Sequence, residues 1–112
     1  MDERRQQQRY PIHGPVHIIT PRGKFSSEIY DISLNGALLM RAVDSELVVG
    51  ETVDVELALT GAPELLAKAR VAHLRGDRIG VEFQDMGTRD FDVFSGLMLM
   101  LAQQARPSWT AA

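Results

Sequence analysis

Three arginines stand within six residues in the stretch "RRQQQR" (Arg4, Arg5 and Arg9), with only glutamines between them. Guanidinium groups can fork onto phosphate or onto the O6/N7 edge of guanine, and their planes stack on bases. The same stretch has no apolar face to bury, so a solvated terminus is the plainer account of it. Some twenty residues on, "YDISLNGALL" crowds Asp31, Ser33, Asn35 and Gly36 between two apolar runs. A hairpin turn explains Asn35-Gly36, with the glycine at positive φ. It explains Asp31 and Ser33 less well. Two apart on a strand end, they project to one face as a carboxylate beside a hydroxyl. A carboxylate there can accept from the N1 and N2 edge of guanine. Arm and turn together match a small, guanine-containing, phosphate-bearing ligand.

Other chemistries fit poorly. His13 and His17 in "HGPVH" are four apart, a metal-binding spacing on a helix. Gly14 and Pro15 forbid a helix there, and on a strand the two residues stand ~13 Å apart. No metal site or cofactor is expected. The chain lacks a G-x-S-x-G nucleophile turn, a phosphate loop ending in Gly-Lys-Ser/Thr and a G-x-G-x-x-G. The acidic residues mostly alternate on outward strand faces. An enzyme is not expected.

The elements that must position these residues are short strands. "GPVHIIT" (14–20), "KFSSEIYDIS" (24–33), "GALLMRA" (36–42), "TVDVELALT" (52–60), "LLAKARVAHL" (65–74) and "RIGVEF" (78–83) are separated by turn signals such as "PRG", "TGAP" and "RGD". The clearest puts Val53, Val55, Leu57 and Leu59 on one face and Asp54, Glu56 and Ala58 on the other. The fifth sets Ala67, Ala69, Val71 and His73 against Lys68, Arg70, Ala72 and Leu74. In the sixth, Ile79, Val81 and Phe83 share a face. Six such strands predict an all-β fold, a six-stranded antiparallel β-barrel whose closure removes exposed edges.

Near the end the period changes to that of a helix. Phe91, Phe94, Met98 and Leu101 recur at helical spacing, with Leu97 widening the stripe. Thr88 is the expected N-cap, Asp90 and Asp92 favour the first turn, and Pro107 follows the end. The "LMLML" run is apolar nearly all round. It fits either a deeply buried C-terminal α-helix or a surface for a partner or for self-association. The chain thus divides into a flexible basic arm (1–12), a barrel with its helix (13–106) and a tail (107–112).

Charge limits the partners. Residues 1–24 hold five Lys/Arg against two acids, the remainder seven against thirteen, for a net −3 over 112 residues. An acidic body disfavours DNA, whose binding needs many phosphate contacts. The few aromatic residues also argue against an oligonucleotide-binding barrel. No apolar run approaches a membrane span, no secretory signal opens the chain, and there is no cysteine. A cytoplasmic, single-domain protein without membrane insertion is expected.

These motifs resemble those of the PilZ domain, a bacterial receptor module for cyclic di-GMP. Its R-x-x-x-R is matched by Arg5-Gln6-Gln7-Gln8-Arg9, and its D/N-x-S-x-x-G by Asp31-Ile32-Ser33-Leu34-Asn35-Gly36. The closing "ARV…GVEF" pair, Ala69 to Phe83, is similar to the family's last strands. The resemblance implies a second-messenger receptor in which Arg5 and Arg9 bind phosphate and guanine and Arg4 adds a contact. Asp31 and Ser33 then meet a guanine edge, and Gly36 lets the backbone approach. His73 stands near where the family often adds a ring to the base pocket. In the family an arginine immediately before R-x-x-x-R accompanies two stacked ligands, so Arg4 implies two cyclic di-GMP molecules per chain. With no output domain in sight, the signal would leave through an unidentified output protein, as ligand orders the arm. The alternative is a PilZ-like docking module that does not bind nucleotide.

Overall fold

The computed structural model describes residues 8–41, 46–59 and 61–105. It contains β1 (Tyr10–Thr20), β2 (Gly23–Ile32), β3 (Gly36–Met40), β4 (Thr52–Leu57), β5 (Leu65–Arg75), β6 (Arg78–Met86) and α1 (Thr88–Gln104). All strand pairs are antiparallel, and the order β1-β2-β3-β6-β5-β4 closes as β4 pairs back onto β1. The six-stranded barrel with a C-terminal helix is therefore present, as the alternation requires. Each strand turns its β-branched and aliphatic residues inward, and Ile18, Ile29, Leu39, Val55, Ala69 and Ile79 are fully buried in one core. Closure leaves the outward residues as a polar shell, and burial of the inner set is the main stabilising term.

Three details depart from the simple alternation. β1 begins at Tyr10, four residues before the "GPVHIIT" run. A register shift between Pro11 and Gly14 absorbs the irregular Pro-Ile-His-Gly sequence while Tyr10 pairs with Ile32 and Pro11 with Asp31. In β5 a second shift falls between Val71 and His73, so Val71 stays buried but His73 turns outward opposite Gly80. His73 therefore does not share the inner face of Ala67, Ala69 and Val71; Leu74 packs toward the core instead.

The third concerns α1. Gly87, not Thr88, occupies the N-cap and offers no side-chain bond; Thr88 is the first helical residue. The start is held instead by Asp90, whose Oδ1 accepts from the backbone N–H of Leu66 at 3.0 Å. Phe94, Leu97, Met98 and Leu101 are buried, and Phe94 meets Phe83 edge-on with centroids 5.4 Å apart. Phe91 does not join this stripe and is 57% exposed, because the helix lies on the barrel along the Phe94–Leu101 side only. Leu99 and Met100 face outward too. The helix is thus buried along one face, not all round. Among the described residues, no helix is long and apolar enough to cross a membrane.

Candidate functional site

The β2–β3 connection is built by Ser33. Its backbone N–H donates to Gly36 O at 2.8 Å, closing a two-residue loop of Leu34 and Asn35. Its Oγ accepts from the N–H groups of Asn35 and Gly36, both at 3.2 Å. None of Leu34, Asn35 and Gly36 has a positive φ. The hydroxyl, not a left-handed glycine, makes this turn. Ser33 is 0% exposed, so it does not stand beside Asp31 as an open hydroxyl on a shared face. It fixes the loop from beneath.

Gly36 is needed for a different reason from the one a turn suggests. It lies in extended backbone opposite Glu82 on β6, and a Cβ there would collide with the carbonyl oxygen of Val81. The loop is clamped to the same strand by Phe83 N–H, which donates to Asn35 O at 2.8 Å. The D-x-S-x-x-G segment is therefore welded to β6, and close backbone packing within the sheet demands the glycine.

Above this weld the outer face of β3–β6–β5 is hollow. A cavity of about 350 Å³ is lined by Arg9, Ser33, Asn35, Gly36, His73, Gly80 and Glu82, with Ala37, Ala72 and Val81. Two glycines, Gly36 and Gly80, are part of its lining. The His73 ring lies directly over Gly80, so close that a Cβ on Gly80 would land on the imidazole. Gly80 was not singled out from the sequence. A glycine inside an otherwise apolar strand was the signal that could have marked it as a place of close approach.

Charge enters at the rim in two ion pairs. Arg9 donates through Nε (3.0 Å) and Nη2 (2.7 Å) to the single oxygen Oδ1 of Asp31. The two motifs are thereby linked across 22 residues, and Asp31 sits beside the cavity through Arg9 rather than lining it. On the opposite side Arg70 Nη2 bonds Glu82 Oε1 at 3.1 Å. Both pairs are partly exposed, so each adds at most about 1 kcal/mol to stability. Their weight lies in holding charge in place. Arg4 and Arg5 fall outside the described residues; of the expected site, Arg9, Asp31, Ser33, Gly36 and His73 converge here.

A hollow lined by two glycines and an imidazole, with a guanidinium at one edge and a carboxylate at the other, can take a flat, polar, anionic heteroaromatic molecule. The ring offers stacking, the cation offsets phosphate charge and the carboxylates accept from base amino groups. A second groove, more apolar and also about 350 Å³, runs beside it between the turn and α1. Gln8, Tyr10, Leu34, Asn35, Met98, Leu99 and Ala102 line it, and Asn35 borders both hollows. Among the described residues no cluster of His, Cys, Asp and Glu could hold a metal ion.

Solved structures share this architecture. The PilZ domain of CeSA from a cellulose-synthesizing bacterium is 21% identical, with a TM-score of 0.69 over 85% of this chain and 98% of that one. The Bacillus subtilis inhibitor of motility (MotI/DgrA) is 18% identical, with a TM-score of 0.76 over 94% of this chain and 54% of that one. An uncharacterized Legionella protein is 20% identical, with a TM-score of 0.56 over 87% of this chain and 92% of that one. At such identities the likeness speaks for the fold. No curated protein sequence matches significantly. The profile of the PilZ domain matches residues 3–99, which spans both motifs and the whole barrel, and the chain belongs to that family.

Proposed function

We propose that the protein is a cyclic di-GMP receptor that acts as an adaptor, without catalysis of its own. The observation that carries this reading is the convergence of Arg9, the D-x-S-x-x-G turn and the His73 ring around one cavity. A base stacks on the imidazole, Arg9 engages phosphate or the guanine O6/N7 edge, and Asp31 accepts from a guanine edge through the oxygen that Arg9 leaves open. Ser33 supports the loop that frames the site. Arg4 and Arg5 bring further guanidinium groups from the arm.

The ligand count follows from charge. Two stacked cyclic dinucleotides carry four phosphate charges, and an additional arginine at position 4 offsets their repulsion or stacks on the outer guanine. Calorimetric titration of the purified chain is expected to end at two cyclic di-GMP per chain, with GTP giving no comparable heat and Arg4→Leu moving the endpoint toward one. Absence of saturable binding would sink the receptor reading. An endpoint of one in the unmodified protein would overturn the two-ligand site alone.

The apolar groove favours a second reading, a docking module that binds no nucleotide. Leu34 (68% exposed) and Leu99 (62%) stand at its edges with Met100 close by in sequence, as a surface for an output protein or for self-association would present them. The receptor reading needs such an output surface as well. The docking reading alone gives no reason for the Arg9–Asp31 and His73 arrangement.

A further inference from the structure

We infer that Glu82 reads the edge of the second guanine of the cyclic dinucleotide, a base-specificity residue additional to Asp31. The inference rests on the receptor reading above. Glu82 is the carboxylate that itself lines the cavity, whereas Asp31 stands outside it behind Arg9. Its neighbours leave it free to face a ligand. On one side its cross-strand partner is Gly36, which contributes no side chain; on the other it is Arg70. The Arg70 guanidinium bonds only Oε1, which offsets the repulsion between a carboxylate and an anionic ligand while leaving Oε2 available.

Strand geometry supplies the reach. Glu82 and Gly80 are two apart on β6 and both face outward, so they are rooted ~7 Å from one another. The His73 ring covers Gly80. A purine stacked on that ring extends its amino edge along the strand to hydrogen-bonding distance of the Glu82 carboxylate. Asp31 is set apart from that position, held by Arg9 and outside the cavity lining. It pairs with Leu38 on β3, and Leu38 pairs with Gly80 on β6, so it lies two strands across and one outward position along from Glu82. That places the two backbones ~12 Å apart. Two carboxylates at that separation suit a ligand with two guanines.

The test compares cyclic di-GMP with the hybrid 3′,3′-cyclic GMP–AMP, which keeps the phosphates and ring but has one guanine. Both are titrated into the unmodified full chain, Glu82→Gln and the control Asp54→Asn, a carboxylate outward on β4 and paired with Lys68. The unmodified chain and the control are expected to prefer cyclic di-GMP by about tenfold, the cost of leaving one charge-assisted acceptor without its donors. In Glu82→Gln that preference should fall to within about twofold, and an unchanged circular dichroism spectrum and melting midpoint show that the variant is folded. An undiminished preference in Glu82→Gln overturns the inference. So does an equal change toward both ligands in either direction, which would make Glu82 act through charge or packing and not through base reading. Equal binding of both by the unmodified chain overturns it too and leaves the receptor standing. Binding of neither removes the receptor reading and this inference together.

Discussion

Arg9 and Asp31 form a weak surface ion pair to which the proposed receptor role would give functional weight. The 2.7 Å contact joins a residue at the foot of the arm to the first residue of the turn motif, and both are partly exposed. Breaking it costs the barrel little, because neither side chain belongs to the core. With ligand bound the arithmetic changes, since removing one partner leaves a charged group of the ligand without its counterpart. Arg9→Ala and Asp31→Ala are each expected to weaken cyclic di-GMP binding by about 2 kcal/mol or more while the thermal midpoint stays near that of the unmodified protein. Titration and melting of the same samples check both halves; unchanged affinity in both variants would remove these residues from the site. Gly36 behaves in the opposite way. Its missing Cβ is required by Val81 O, so Gly36→Ala is expected to lower stability by about 1–3 kcal/mol through displaced β3–β6 pairing. Gly96 in α1 has open space around it, and Gly96→Ala is expected to be neutral or stabilising by up to about 1 kcal/mol. Urea unfolding separates the two, and equal midpoints for the variants would contradict the packing argument.

Period-two alternation made the strands of the barrel legible, because one face of each is buried and the other solvated. The clearest case, Val53, Val55 and Leu57, is buried as the pattern demands. Register was not legible. The irregular Pro11 and Gly14 hid the first four residues of β1, and the shift between Val71 and His73 reversed the facing of the histidine. A bulge inserts one residue and leaves no compositional trace, yet it moves a side chain from core to surface. That reversal brings His73 over Gly80, so the part of the site the sequence could not reveal depends on it. In α1 the stripe was legible in Phe94, Leu97, Met98 and Leu101, whereas Phe91 lies beyond the line of contact with the barrel. The arm raises a separate question. Gln8 and Arg9 lead directly into β1, and the Arg9–Asp31 pair marks where ligand phosphates would gather the arginines that precede it. Cyclic di-GMP is expected to slow tryptic cleavage after Arg4, Arg5 and Arg9 by tenfold or so as the arm folds over the barrel. Equal cleavage rates with and without ligand would count against ordering of the arm as the signal.

Taken whole, the molecule is a closed barrel whose interior is committed to packing, so recognition can occur only on its outside. The outer face carries ion pairs between strands, such as Lys68–Asp54 and Lys24–Glu56. Over β3–β6–β5 it holds the cavity lined by Arg9, Gly36, His73, Gly80 and Glu82. The neighbouring groove along α1 shares Asn35 with that cavity. On the receptor reading, cyclic di-GMP binds in the cavity over β3–β6–β5. Two-dimensional ¹H–¹⁵N spectra recorded through a titration with cyclic di-GMP test this most directly. The largest backbone shift changes are expected at Arg9, Asn35, Gly36, His73, Gly80 and Glu82, with smaller ones at Leu99 and Ala102. Saturable changes confined to α1, or to the opposite β1–β4 face around His17 and Glu56, would contradict it.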